Sequence, residues 1–304
     1  SVDVMIAISS NFFYTVTLTC TLWFFDKGKT DNRILFIDAR NIFTQIDRAH
    51  REFNEAQIQN IAMISKLHRG QREDFVRLVD TYFEQGLNAL LDEQSNMLKV
   101  SQDLRDYLSK HEAAEIPDLA PILGRLDHLK KQIRDYQKER DLLNLKATNQ
   151  RQHALAEHIA PFFKALHAQL KGFDTLVRQH SKANPRDSKA LKSSLEELHR
   201  EVKAAEAAFA HIGWLQERFP KAEYEDVTGL CKLATIEEVK EQDYSLNPGR
   251  YVGVVIEEDG KAEEEFLAEL ADMHEEIESL NAESVHLNNI IQKNFLAIVG
   301  AEND

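Results

Sequence analysis

Thr235-Ile236-Glu237-Glu238-Val239-Lys240-Glu241-Gln242-Asp243-Tyr244-Ser245-Leu246-Asn247-Pro248-Gly249-Arg250-Tyr251-Val252-Gly253 is the stretch around which the rest of the chain can be ordered. It belongs to a loop-rich segment, residues 220–256, punctuated by Pro220, Gly229, Pro248, Gly249 and Gly253. Within it, Asn247-Pro248-Gly249 reads as a structural turn, with Gly249 supplying a backbone angle that other residues resist. At the far end of the chain the first 40 residues are β-rich. Val2 to Ile8, Thr15 to Phe25 and Arg33 to Asp38 concentrate Val, Ile, Thr, Phe and Trp. The polar run Asp26 to Asn32 between the last two predicts a hairpin. Three strands alone cannot bury both faces, so this block is expected to be the edge of a larger sheet.

Between these ends the period changes to that of a helix. Ile58, Ile61, Ala62 and Ser65 follow three-to-four spacing before Gly70. A second helix is expected from about Arg72 to Leu91, with Phe75, Leu78, Val79, Tyr82, Phe83 and Leu87 on one face. Ile122, Leu126, Leu129, Ile133, Tyr136, Arg140 and Leu143 repeat at 4-3 spacing, a heptad seam with one charged interruption. Pro161 and Asn184-Pro185 divide the following helices, and Ala190 to Phe209 forms another. After Glu257-Glu258-Asp259-Gly260, a final helix carries Phe266, Leu270, Met273, Ile277, Leu280, Ser284, Leu287, Ile291, Asn294 and Ile298 on one stripe. Such a stripe needs a partner, either within the chain as a helical hairpin or between subunits as a coiled coil. Its many glutamates disfavour a parallel copy of itself.

With 304 residues and 43% hydrophobic content the chain can build two cores. The net charge is −14, which taken whole argues against nucleic acid. Its distribution says more: residues 1–120 carry a net −5, residues 121–220 a net +6 with seven of the twelve histidines, and residues 221–304 a net −15. No apolar run approaches the ~20 residues a membrane span needs, and no secretion signal is visible. Cys20 and Cys231 read as reduced, packed thiols. The cytoplasm fits these features. A chain that enters a buried-type strand at Val2 is read as a piece of something longer.

Taken with Ser10-Asn11-Phe12-Phe13-Tyr14 and Leu35-Phe36-Ile37-Asp38-Ala39-Arg40, the 235–253 stretch resembles the modification (M) subunit of type I restriction-modification systems. The resemblance covers about residues 1–85 and 220–304. It implies a parent enzyme that transfers a methyl group from S-adenosylmethionine to adenine N6. The implied partners are the specificity (S) and restriction (R) subunits and double-stranded DNA, with no membrane. A homo-oligomer of the isolated chain is a further expectation. The implied fold is mainly α, with a small β-rich N-terminal remnant of a methyltransferase sheet and an elongated helical bundle or coiled-coil tail. The segments are 1–45, the last strands of the methyltransferase domain; 46–91, a helical linker region; 92–219, a basic helical insert; 220–256, the signature segment; and 257–304, the coiled-coil helix. A stand-alone helical interaction or DNA-binding protein without an enzymatic parent is the rival reading.

The chemistry of that family is largely absent here. A cofactor site needs a glycine-rich turn after a strand, yet the 11 glycines contain no G-x-G arrangement. The catalytic Asn-Pro-Pro-aromatic loop is also missing, and Asn247-Pro248-Gly249-Arg250-Tyr251 lacks the second proline. His111-Glu112-Ala113-Ala114-Glu115 begins like a zinc-protease helix but has Glu for the second ligand. No catalytic residue and no metal site are expected, and no cofactor is expected to bind this stretch. By the resemblance, Phe13, with Tyr14 second, stands where related enzymes stack an aromatic on the flipped-out adenine. The alternative is that both pack beneath the sheet edge. Candidates for DNA-backbone contact are Lys27, Lys29, Arg33, Arg48 and Arg51, then Lys130, Lys131, Arg134 and Lys138 in the insert; a solvated, charge-laced helix is the plainer reading of the last four. Leu270, Met273, Ile277, Leu280, Leu287 and Ile291 are the candidates for partner-helix packing.

Overall fold

The computed structural model describes residues 1–13, 16–109, 120–180 and 185–254, together with Ser284, Val285, Leu287, Asn288 and Ile291. The chain divides into two compact units, Ser1–Val254 and Val255–Asp304.

The first unit is mainly α with a small mixed sheet. β1 (Val2–Ile8), β2 (Cys20–Phe25) and β3 (Arg33–Ala39) form it with β6 (Cys231–Thr235), in the order β2-β1-β3-β6. β1 pairs antiparallel with β2 and parallel with β3, and β3 pairs antiparallel with β6. The hairpin expected between the second and third strands does not form. The chain crosses β1 instead, and β2 starts at Cys20 rather than Thr15. The polar run between them has a job that hairpin reasoning misses: Lys29 Nζ reaches Asp3 at 3.0 Å and the Val2 carbonyl at 3.2 Å, tying the crossover to the start of β1. β6 arises inside the segment read as loop-rich, and a small hairpin of β4 (Thr44–Asp47) and β5 (His50–Glu52) also lacked a pattern of apolar residues.

Near-continuous apolar strands follow from burial on both faces. Val4, Ile6, Ile8, Leu35, Ile37 and Ala39 join the large helical core. Met5, Ile34 and Phe36, on the opposite face, form a second core with Ala234, Val239 and Val252. The chain's own helices and its 235–252 segment thus cover β1 and β3. β2 is left at the edge, with Leu22, Trp23, Phe24 and Phe25 exposed.

α1 (Glu55–His68) begins at an Asn54 cap whose side chain accepts from the Gln57 N–H, while the Gln57 side chain accepts from the Asn54 N–H. It ends before Gly70, whose φ of +76° suits the left-handed stop. α2 (Arg72–Ser109) is much longer than the 72–91 helix the sequence suggests, because Leu90, Met97, Val100, Leu104 and Leu108 prolong its buried stripe. α3 (Ala120–Glu139), α4 (Leu145–Ala156), α5 (Ile159–His180) and α6 (Pro185–Arg218) complete the bundle, and α7 (Ile236–Glu241) follows β6. α3 buries Ile122, Leu126, Leu129, Ile133 and Tyr136 of the expected seam, but it ends at Glu139, so Arg140 falls in a 3-10 turn and Leu143 in extended chain rather than on the same helix. At the heart of the bundle Phe209 of α6 meets Phe83 of α2 and Phe163 of α5, with ring centroids 6.4 and 5.7 Å away.

In the second unit the described residues Ser284, Val285, Leu287, Asn288 and Ile291 are helical. Leu270, Met273, Ile277 and Leu280 of the expected stripe lie outside the described residues, as do Tyr14 and His111 to Glu115. No helix among the described residues is long and apolar enough to cross a membrane.

Candidate functional site at the paired signature segments

The segments singled out at the two ends of the chain are neighbours in space. β3 carries Phe36-Ile37-Asp38, and its partner β6 leads directly into the 235–253 stretch, with Arg33 opposite Thr235 and Phe36 opposite Lys232. Thr235 then caps α7: its hydroxyl accepts from the Glu238 N–H at 3.2 Å and the Glu238 carboxylate accepts from the Thr235 N–H at 2.7 Å. That backbone bond, helped by Lys232 at 3.1 Å, holds the Glu238 carboxyl below its ordinary range. Beyond the helix, Tyr251 lies flat on Phe36, centroids 3.9 Å apart and planes 4° off parallel.

Gly249 sits in a close approach rather than in the special backbone angle its turn suggested. Its φ is not among the positive angles, which among glycines fall at Gly70, Gly229 and Gly253. A Cβ on Gly249 would instead stand 2.8 Å from the Arg40 guanidinium. Arg40 is fixed there by Asp38, whose two carboxylate oxygens accept from Nε at 2.8 and 3.0 Å. These bonds push the already high guanidinium value further up. The signature run is therefore a clasp in which Pro248-Gly249 closes over the Asp38–Arg40 pair.

The carboxyl end of β1 opens into the loop that carries Phe13. Asn11 takes a φ of +65°, Phe12 packs on Phe53 with centroids 4.5 Å apart, and Phe13 is 52% exposed. Packing beneath the sheet edge is thus not where Phe13 sits. Arg51, read from sequence as a phosphate contact, holds this loop. Its backbone N–H donates to the Asn11 carbonyl at 2.9 Å and its guanidinium donates to the Ser9 hydroxyl and to Gln45 Oε1, while lying 4.0 Å over the Phe43 ring.

Other cations sort by exposure. The Lys29 side chain is only 6% exposed and Asp3 receives both it and Arg69, at 3.0 and 2.8 Å. Burial raises the Asp3 carboxyl, but the bonds from Arg69 and Lys29 outweigh it and leave it below the ordinary value. Arg33 pairs with Asp31 at 3.2 Å and Lys138 with Asp135 at 3.1 Å. Lys27, Arg48, Lys131 and Arg134 are exposed and Lys130 half-buried, without an ion pair among the described residues. Both cysteines are free, and burial pushes the Cys231 thiol up to about 11. Among the described residues, no three His, Cys, Asp or Glu are grouped to hold a metal.

The N-6 DNA Methylase family matches residues 1–83 and 175–260, more than half of the chain and both halves of this clasp. The chain belongs to that family. Among curated proteins it is similar to the methylase subunit of the type I restriction enzyme HindI from Haemophilus influenzae, 56% identical over 36 residues, which cover 12% of this chain and 8% of that protein. It is also similar to the MjaIX methylase subunit from Methanocaldococcus jannaschii, 40% identical over 65 residues, or 21% of this chain and 11% of the relative. These matches span about a tenth of the relatives' length. No solved structure matches. The resemblance to type I modification subunits read from the sequence therefore stands, and the family match leaves residues 84–174 uncovered.

S-adenosylmethionine, which the family resemblance implies, does not fit the residues described here. The parallel strands β1 and β3 run into Ser9-Ser10-Asn11 and Arg40-Asn41, without the glycine-rich turn that lets backbone N–H groups approach a cofactor.

Proposed function

We propose that this chain is the C-terminal, assembly-directing portion of a type I modification subunit whose methyl transfer to adenine N6 is carried out with residues upstream of Ser1. The observation that supports this reading is the clasp itself: Phe36 on Tyr251, and Gly249 over the Asp38–Arg40 pair, join β3 to the 235–253 stretch. The edge strand supports it. β2 presents Leu22, Trp23, Phe24 and Phe25 on an unpaired edge, and an apolar groove of about 500 Å³ opens between Val4, Ile6, Leu22 and Phe24 of the sheet and Ile58 and Ile61 of α1. An edge so exposed invites a further strand.

In that setting Phe13 is the platform for the extruded adenine, because a flipped base regains on an aromatic the stacking it lost in the duplex. Lys27, Arg48, Lys130, Lys131 and Arg134 contact DNA phosphates, while sequence recognition rests with the specificity subunit. The stripe Leu270, Met273, Ile277, Leu280, Leu287 and Ile291 packs on helices of that subunit, and the restriction subunit joins the same assembly. S-adenosylmethionine binds in the upstream part of the parent.

The test is a pull-down of the intact modification subunit with its specificity subunit. Leu280→Asp with Leu287→Asp should abolish co-purification and leave S-adenosylmethionine binding by the intact subunit unchanged. Undiminished assembly with both changes would show that the stripe is an internal core.

A further inference from the structure

A notch of about 370 Å³ opens between α3 and the junction of α4 with α5, inside the stretch that the family match leaves uncovered. Arg125, His128 and Gln132 face it from α3; His158 and the first turn of α5, with Pro161 and Phe162, close the other side. Among the described residues no carboxylate lines it. Of the acids on α3, Asp135 is engaged by Lys138 at 3.1 Å and Glu139 by Arg151 at 3.4 Å; Asp127 of α3 and Glu157, between α4 and α5, adjoin lining residues in sequence but are not in the wall.

The wall is a set of donors. The Arg125 guanidinium offers five N–H groups, and each imidazole offers at least one. The start of the 22-residue α5 adds the partial positive charge of a helix N-terminus. Lys131 and Arg134 are exposed farther along α3 and extend positive charge away from the notch.

We propose that this notch seats a phosphate of the DNA backbone, with Arg125 as the principal donor and His128 and His158 beside it. The proposal rests on the DNA-contact reading above and narrows it to one notch, at whose rim Arg125, His128 and His158 are exposed to solvent. Because only the phosphate is held, the grip is indifferent to base sequence.

The test uses the full chain, with histidine imidazoles observed by NMR during titration at low salt, first with inorganic phosphate and then with a duplex of mixed sequence. Fluorescence anisotropy with the same duplex compares the wild type with R125Q/H128Q/H158Q and with K130E/K131E/R134E. The His128 and His158 signals should move with either ligand while that of His199, on α6, does not. The R125Q/H128Q/H158Q variant should lose roughly tenfold in affinity, and its salt dependence should become shallower by about one phosphate contact. Duplex binding that K130E/K131E/R134E weakens, with no change at the two histidines and none in R125Q/H128Q/H158Q, would overturn the notch and leave the DNA reading standing. Histidine shifts with inorganic phosphate but no duplex binding would overturn the nucleic-acid assignment and the DNA reading together. No response to either ligand would overturn both as well.

Discussion

Phe36, in the middle of β3, and Tyr251, at the end of the 235–253 stretch, stack face to face with centroids 3.9 Å apart. The Tyr251 hydroxyl also donates to the Ser245 carbonyl, closing the loop on itself. One ring is fully buried and the other partly exposed, so their removal should cost different amounts. Phe36→Ala is expected to lose about 3 to 4 kcal/mol in urea unfolding and Tyr251→Ala about 2 kcal/mol, with Tyr251→Phe close to 1 kcal/mol. Equal, negligible losses would mean that the two ends of the chain are not held by this stack.

Gly86 of α2 tests the packing of the bundle. A Cβ there would stand 2.5 Å from the buried Phe209 ring. A helix-interior Gly→Ala change normally gains up to about 1 kcal/mol, while overpacking a core costs roughly 1 to 3. Gly86→Ala should therefore be net destabilising in the wild type. In a Phe209→Leu background the obstacle is smaller, and the same change should become neutral or stabilising. Equilibrium unfolding of the four proteins reads the reversal directly.

Burial holds both His68 and His211 below the ordinary histidine value of 6.5, and His211 is further placed against the Asn60 amide at 3.2 Å, itself bonded to Tyr82. A histidine kept neutral in the fold takes up its proton first in the unfolded chain. Its contribution is complete above the ordinary value and is lost as pH falls through 6.5 toward the depressed folded value. Stability should thus drop as pH falls below 6.5, and the drop should be smaller in H68Q/H211Q. An unchanged slope in that variant would remove these two rings from the account.

Arg51 is expected to matter locally rather than globally. Replacing it with Gln keeps the backbone bond to Asn11 but removes the guanidinium contacts with Ser9 and Phe43. Amide exchange across Ser9 to Phe13 should accelerate by roughly tenfold, with the melting temperature almost unchanged. Protection equal to the wild type would show that Arg51 is not what holds this loop.

Much of this arrangement was legible in the sequence and part was not, for identifiable reasons. A helix with a regular apolar stripe, such as α3, declares itself because burial and period coincide, whereas α1 buries Ile61, Met63, Ile64 and Leu67 and leaves Ile58 and Ala62 of the expected face exposed. β6 does not declare itself, because Cys231-Lys232-Leu233-Ala234-Thr235 is short and acquires strand character only from pairing with β3. The crossing of β1 by the chain was hidden because a polar loop of that length suits a hairpin equally well, and the contact that ties the crossover down joins Lys29 to the distant Asp3 carboxylate. The same limit applies to charge. Composition cannot separate Lys29 and Arg51, spent on internal contacts, from Lys131 and Arg134, which face solvent.

Asp80 illustrates how the uncovered helical stretch is fastened to the rest. On α2, its carboxylate accepts from Tyr136 of α3 at 2.5 Å, from Gln152 of α4 at 2.7 Å, and from Arg140 just past α3 at 2.8 Å. Burial, then the bond to Asp80, pushes the Tyr136 hydroxyl far above the usual phenol range, so it remains a donor throughout the working pH range. Asp80→Ala leaves three donors without their acceptor, one of them charged, and should cost about 2 to 3 kcal/mol. Adding Tyr136→Phe should cost less in that background than in the wild type, since the hydroxyl it removes is already orphaned. Urea unfolding of the double-mutant cycle measures the coupling. Additive losses would mean that Asp80 and Tyr136 stabilise the bundle separately, and that helix packing alone holds α3 and α4 against α2.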